Sequence, residues 1–159
     1  MKHRILFVCL GNICRSPAAE AVFINHINKM GIAEHFEVDS AGTGGWHVGN
    51  QADSRMKNAA LKRGIDIQSL ARQIHLQDFQ LFDLILTMDN SNLEDVLSLS
   101  KEIVQEKKSK ICPLLNYATK TNLIEVPDPY YGGESGFDNV LDLLEDAIEG
   151  LISSFNLEN

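Results

Sequence analysis

Residues 4–23, RILFVC-LGNICR-SPAAEAVF, place three patterns in a row. Arg4 to Cys9 is short, apolar and partly β-branched, as a strand buried on both faces is. Leu10 to Arg15 holds Gly11 and Asn12, the residue types that tolerate left-handed backbone, and reads as a loop. Ser16 followed by Pro17 resembles an N-cap with proline at the first helical position, and the helix should run to a stop at Gly31. A strand that passes through a loop into a helix N-terminus is an anion site in outline, because successive N–H groups converge and the helix dipole adds positive potential.

Outward from this segment, strands and helices alternate. A second strand is expected at Phe36 to Ser40, with Ala41 to Gly45 too glycine-rich for regular structure. A helix is expected from about Asp53 to Arg63, with Gly64 as its C-cap. A third strand is read at Asp83 to Met88, a helix near Ser91 to Leu99, and a fourth strand at Ile111 to Leu115. In the last helix, Phe137, Val140, Leu141, Leu144, Ile148, Leu151, Ile152 and Phe155 recur at helical spacing, while Asp142, Glu145, Asp146 and Glu149 should face outward. The prediction is one α/β domain spanning 1–159, a central four-stranded parallel sheet with helices on both faces and its ligand at the carboxyl ends of the strands.

The 159 residues and a hydrophobic fraction of 44% suit one core. A net charge of -8 argues against nucleic acid or an anionic membrane surface as partner, since both need clustered Lys and Arg. No apolar run reaches membrane-spanning length, so no membrane insertion is expected and a cytoplasmic location is. Three cysteines point to a reducing compartment. His3, His26, His35, His47 and His75 offer no paired spacing to complete a metal site with Cys9 and Cys14, so no metal or organic cofactor is expected.

The loop ends in Arg15-Ser16, where a nucleotide-binding P-loop ends in Gly-Lys-Ser/Thr. A guanidinium matches two phosphate oxygens with a planar pair of donors, whereas lysine is a point charge. Cys9 opens the same loop, and both the helix terminus and Arg15 favour its thiolate, which makes it the candidate nucleophile. Ser16 can donate to that sulfur and stabilise it as a leaving group. A bare Cys-x5-Arg arises by chance in about one chain in seven with three cysteines, given arginine at roughly 5% of residues. The strand before, the helix after, and Ser16-Pro17 make the pattern specific. An acid for the leaving group must come from elsewhere in the chain, and Asp128, held between Pro127 and Pro129 with Tyr130 and Tyr131 adjacent, is the candidate.

Val8 to Pro17 with Ala19-Glu20-Ala21, and Asp128-Pro129-Tyr130-Tyr131-Gly132, closely resemble the low-molecular-weight protein tyrosine phosphatases. Similarity continues through 38–43, 71–74 and 88–93, nearly the whole chain in order. The resemblance implies hydrolysis of protein phosphotyrosine and small aryl phosphates through a cysteinyl-phosphate. In it Cys9 is nucleophile, Arg15 binds phosphate and Asp128 is acid and then base. It also implies that Leu10, Gly11, Asn12, Ile13, Cys14 and Ser16 form the phosphate loop, with Ser40 in support, and that Trp46 and Tyr130 flank the ring. Cys14 would be the redox partner of Cys9, intercepting its oxidised form. The implied partners are tyrosine-phosphorylated proteins or peptides, and the assembly is left open between a monomer and a weak dimer. An arsenate reductase of the same fold and a catalytically idle phosphotyrosine-binding module are the rivals. Many members carry a histidine behind the loop where this chain has Ser69, which places the loop's rigidity in question. Asp89 reads equally as a carboxylate near the site and as a helix cap. Cys112 reads as core, and His47 and His75 as residues without a catalytic role.

Overall fold

The computed structural model describes residues 2–103, 106, 109–133 and 135–157; the expected domain limits at 1 and 159 lie outside the described residues. The strands are β1 (His3–Cys9), β2 (Phe36–Gly42), β3 (Leu84–Thr87) and β4 (Lys110–Pro113). They pair in parallel in the order β2-β1-β3-β4. The helices are α1 (Arg15–Met30), α2 (Ser54–Leu61), the single turn α3 (Asp78–Leu81), α4 (Asn90–Ser100) and α5 (Gly136–Ser153).

Alternation along β1 divides the core. Ile5, Phe7 and Cys9 join a cluster built with α1, α2 and α5, while Leu6 and Val8 join a second with Phe79 of α3 and Val96 of α4. Helices thus cover both faces, as the continuous apolar run of β1 requires. The order reverses at β1, so the connections leaving β1 and β3 part there and open a crevice at the strands' carboxyl ends.

Several local expectations shift. Helix α1 starts two residues early, with Cys14 rather than Ser16 at the N-cap and no side chain capping it, because the Ser16 hydroxyl is engaged with Cys9 and Asn12. Gly31 closes the helix in left-handed conformation as expected (φ 72°). Strand β2 continues through Ala41 and Gly42, which the glycine content had assigned to a loop. Gly42 pairs with Cys9, and a Cβ there would meet the Leu10 carbonyl oxygen at 2.8 Å, so glycine serves close approach rather than a turn. β4 ends at Pro113, and Leu114–Tyr117 turns into a 3₁₀ helix. Phe155 lies beyond α5 and meets Phe36 edge-to-face with centroids 5.2 Å apart.

Asp146 does not face outward. It is buried and its carboxylate accepts backbone N–H bonds from Thr119 and Lys120. Burial opposes its charge, but those backbone bonds hold its carboxyl below the usual range.

Candidate active site

The loop between β1 and α1 curls with Asn12 in left-handed conformation (φ 57°), as Asn in this position allows. The Asn12 side chain fixes the loop's hydrogen-bond polarity. Its Oδ1 accepts from the Arg72 N–H at 2.9 Å, so its Nδ2 must point the other way, to Ser16 Oγ at 2.8 Å and Ser40 Oγ at 3.0 Å. Ser16 Oγ lies 3.0 Å from Cys9 Sγ. With its oxygen accepting from Asn12, Ser16 has its proton left for the sulfur or for the Ala41 carbonyl at 3.4 Å, and a thiolate at Cys9, nearer and charged, is the stronger acceptor. Ser40 Oγ in turn donates to Glu20 Oε1 at 2.6 Å. Burial pushes the Glu20 carboxyl up, against the lowering effect of hydrogen bonds from Ser40 and Ser69.

Ser69 therefore meets the chain of bonds behind the loop through Glu20. The segment containing Arg72 is braced independently: the Arg72 guanidinium donates to Asp39 at 2.9 Å and, with both terminal nitrogens, to buried Asp78 at 3.0 and 3.1 Å. Gly42 N–H donates to the Arg72 carbonyl and Ile74 N–H to that of Gly42, docking 72–74 against the end of β2.

Arg15 is buried at the start of α1. Its Nη1 donates to Asp89 Oδ2 at 2.7 Å and to the Val126 carbonyl at 3.0 Å. Burial works against its charge, but Cys9 and Asp89 outweigh that and raise its pKa further above the ordinary value. Asp89 fills both roles open to it: Oδ2 holds Arg15 while Oδ1 accepts from the Asn92 N–H and caps α4. Val126 also donates its N–H to the Met88 carbonyl at 2.7 Å, so the segment leading to Asp128 is tied both to the end of β3 and to Arg15.

Asp128 caps the short 3₁₀ turn Pro129–Tyr131 by accepting from the Tyr130 N–H at 3.0 Å. Tyr130 is held by Asp53, whose Oδ2 accepts the phenol O–H at 3.2 Å. Burial, followed by Asp53 and Cys14, pushes the Tyr130 phenol up, so it stays protonated. Asp53, the N-cap of α2, also binds Arg55, and those bonds lower its own carboxyl despite burial.

These elements enclose a pocket of about 350 Å³ lined by Cys9, Leu10, Gly11, Ile13, Cys14, Arg15, Trp46, His47, Asp128, Pro129 and Tyr130. It brings together the predicted nucleophile, guanidinium, acid and ring-flanking residues. Trp46 stands 71% exposed at the mouth, beside glycine at 44, where a side chain would collide with the indole. Asn12, Ser16 and Ser40 lie behind the pocket as support. His47, read from sequence as having no catalytic role, lines the pocket, and a Cβ at Gly11 would sit 2.9 Å from its ring. Asp53, Glu20, Arg72 and the Val126 carbonyl were not singled out from sequence, and of these only Glu20 and Arg72 lay in segments matched to a family. Cys14 is buried, and burial, followed by Cys9 and Asp53, pushes its thiol far up and keeps it neutral. Cys112 is half-buried at the core's edge, as expected. No group of three or more His, Cys, Asp or Glu able to hold a metal ion occurs among the described residues.

Comparison with known proteins gives a consistent result. The profile of the family described as low molecular weight phosphotyrosine protein phosphatase matches residues 4–159. The human protein of that name is 47% identical over 136 residues, 86% of this chain and 85% of its own. The Schizosaccharomyces pombe protein is 43% identical over 152 residues, 95% and 96% of the two chains. Among solved structures, an Entamoeba histolytica protein tyrosine phosphatase superposes with a TM-score of 0.88 at 47% identity, covering 96% of each chain. A Drosophila arginine phosphatase superposes with a TM-score of 0.91 at 32% identity over the full length of both.

Proposed function

Because this chain belongs to the low molecular weight phosphotyrosine protein phosphatases, and so is a protein-tyrosine-phosphatase, we propose that it acts through a phosphoryl group carried on Cys9. In the first step Cys9 Sγ attacks phosphorus, the S–P bond forms, and the ester P–O bond breaks as Asp128 gives its proton to the departing phenolic oxygen. Arg15 and the loop N–H groups bind the three equatorial oxygens, where charge is spread in the transition state. In the second step water attacks phosphorus and passes a proton to the Asp128 carboxylate. The S–P bond then breaks and the sulfur leaves as a thiolate held by the Ser16 hydroxyl.

One observation carries this reading: Cys9, Arg15 and Asp128 line a single pocket, with the Ser16 hydroxyl behind it 3.0 Å from Cys9 Sγ. An arsenate reductase, which would pass electrons through further cysteines, is disfavoured, since Cys112 lines no part of that pocket. An idle binding module would have no use for Asp128. Tyrosine-phosphorylated proteins or peptides are the proposed substrates, with Trp46 and Tyr130 against the ring and apolar Leu10 and Ile13 beside it. Leu10, Ile13, Trp46 and Tyr130 give that lining an apolar and aromatic wall suited to an aryl group. We assign Cys14 as the thiol that condenses with a Cys9 sulfenic acid, giving a disulfide and water.

The test is leaving-group dependence. In Asp128→Asn, the burst of phenol release should slow strongly for phosphotyrosine, whose leaving phenolate is basic, and little for a highly activated aryl ester. A uniform loss across a series of leaving groups would remove Asp128 from the acid's role.

A further inference from the structure

Tyr130 and Pro129 wall two concavities at once. On one side is the catalytic pocket; on the other is an open cleft of about 470 Å³ reaching along α2 to the start of α5. Its apolar surface comes from Ala59, Pro129, Tyr130 and Phe137, with the rings of Tyr130 and Phe137 edge-to-face at 6.2 Å. Arg55 lies over both rings, 4.8 Å from the Tyr130 centroid and 5.0 Å from that of Phe137. Asp53 holds Arg55 Nε and Nη2, leaving Nη1 with no hydrogen bond among the described residues. Lys62 on the same rim has no ion pair among the described residues. Asp138, the carboxylate of the described lining, is half exposed and reaches Arg63 Nη2 at 3.4 Å, a nitrogen that Asp142 holds more closely at 2.9 Å, so the cation left without a carboxylate on this rim is Lys62.

Resting on the phosphotyrosine reading above, we propose that this cleft binds the carboxylate side chain of an acidic residue flanking the phosphotyrosine in a peptide substrate. A chain leaving the pocket over Tyr130 enters the cleft directly. At about 3.3–3.6 Å per extended residue, the side chain reaching it belongs one to three positions from the phosphotyrosine. The protein's charge of -8 repels acidic peptides at long range, so local cations are what would let such a peptide dock. Its methylenes would lie against the exposed edge of Tyr130 while its carboxylate meets Lys62 and the Arg55 Nη1.

The experiment compares kcat/KM for phosphopeptides identical except for Glu, Lys or Leu at each of three positions on either side of phosphotyrosine. They are assayed with the wild type and with Lys62→Glu, using p-nitrophenyl phosphate as a reference that has no flanking residue. In the wild type Glu should exceed Lys about fivefold at one or more positions on one side, the scale of a solvent-facing ion pair. Lys62→Glu should reverse that preference and leave the p-nitrophenyl phosphate rate unchanged. Glu and Lys peptides equal within about twofold at all six positions, a preference untouched by Lys62→Glu, or Leu preferred over Glu by both proteins would overturn the proposal while the phosphatase reading stands. Failure to hydrolyse p-nitrophenyl phosphate and every phosphopeptide would overturn both.

Discussion

Replacing Asp89 with alanine should destabilise the protein through two separate losses that the structure places on one carboxylate. Arg15 and Asp89 side chains are 7% and 21% exposed, and they meet at 2.7 Å. Removing Asp89 leaves a buried guanidinium with the Val126 carbonyl as its remaining partner on Nη1. Breaking a buried pair costs about 3–5 kcal/mol, and the exposure of Asp89 puts this one near the lower end. The Asn92 N–H also loses its cap, worth about 1 kcal/mol. A total near 4 kcal/mol is a large part of the roughly 5–15 kcal/mol holding a domain together. Asp89→Asn has a single oxygen, so with that oxygen capping α4 its NH2 faces Arg15; the cap is kept and the pair is lost, and a cost of about 3 kcal/mol is expected. Urea unfolding in phosphate-free buffer measures both variants, and p-nitrophenyl phosphate turnover should fall with the loss of guanidinium aim. An Asp89→Ala cost below about 1 kcal/mol, or equal costs for the two variants, would refute this account of how Arg15 is held.

Glu20→Gln should separate stability from activity. The Glu20 carboxyl is raised by burial, so the folded state holds a proton that the unfolded state releases; its contribution is favourable at low pH and is lost as pH rises through the folded value. The glutamine should therefore raise the melting temperature at neutral pH and flatten its pH dependence. It should also lower turnover roughly tenfold, one hydrogen bond's worth, because an amide does not force Ser40 to donate outward. A lower melting temperature with unchanged turnover would contradict both halves. Mild peroxide should inactivate the wild type reversibly through a Cys9–Cys14 disulfide found by peptide mass spectrometry, while Cys14→Ser loses activity irreversibly. Equal recovery of both proteins with thiol would show that Cys14 gives no protection.

The framework and the reacting groups were legible because each follows from local pattern. The β1 run, the Cys9 to Arg15 loop and the Gly31 stop are set by residues adjacent in sequence, and parallel order followed from strand–helix alternation. Where the reading slipped, a tertiary contact had overridden a local preference. Ser16 has the chemistry of a cap, but the loop places its hydroxyl against Cys9. The glycine run at 41–45 looked like a loop, yet Gly42 is strand, paired with Cys9, and is glycine because Leu10 passes so close. Asp146 sits on the acidic side of a helical repeat but turns to backbone groups of the chain before it. Glu20, Asp53 and Arg72 stabilise the site across separations of 20, 77 and 60 residues from the groups they bind, beyond what periodicity can report.

The central claim is that phosphate passes through Cys9. Asp128→Ala protein mixed with p-nitrophenyl phosphate and quenched in acid within a turnover can be digested and read by mass spectrometry. A phosphoryl group should appear on the peptide containing Cys9, since the activated leaving group needs no acid for the first step while the second lacks its base. It should vanish in the Cys9→Ser, Asp128→Ala double variant. Phosphate on any other residue, or turnover that persists without Cys9, would contradict the account.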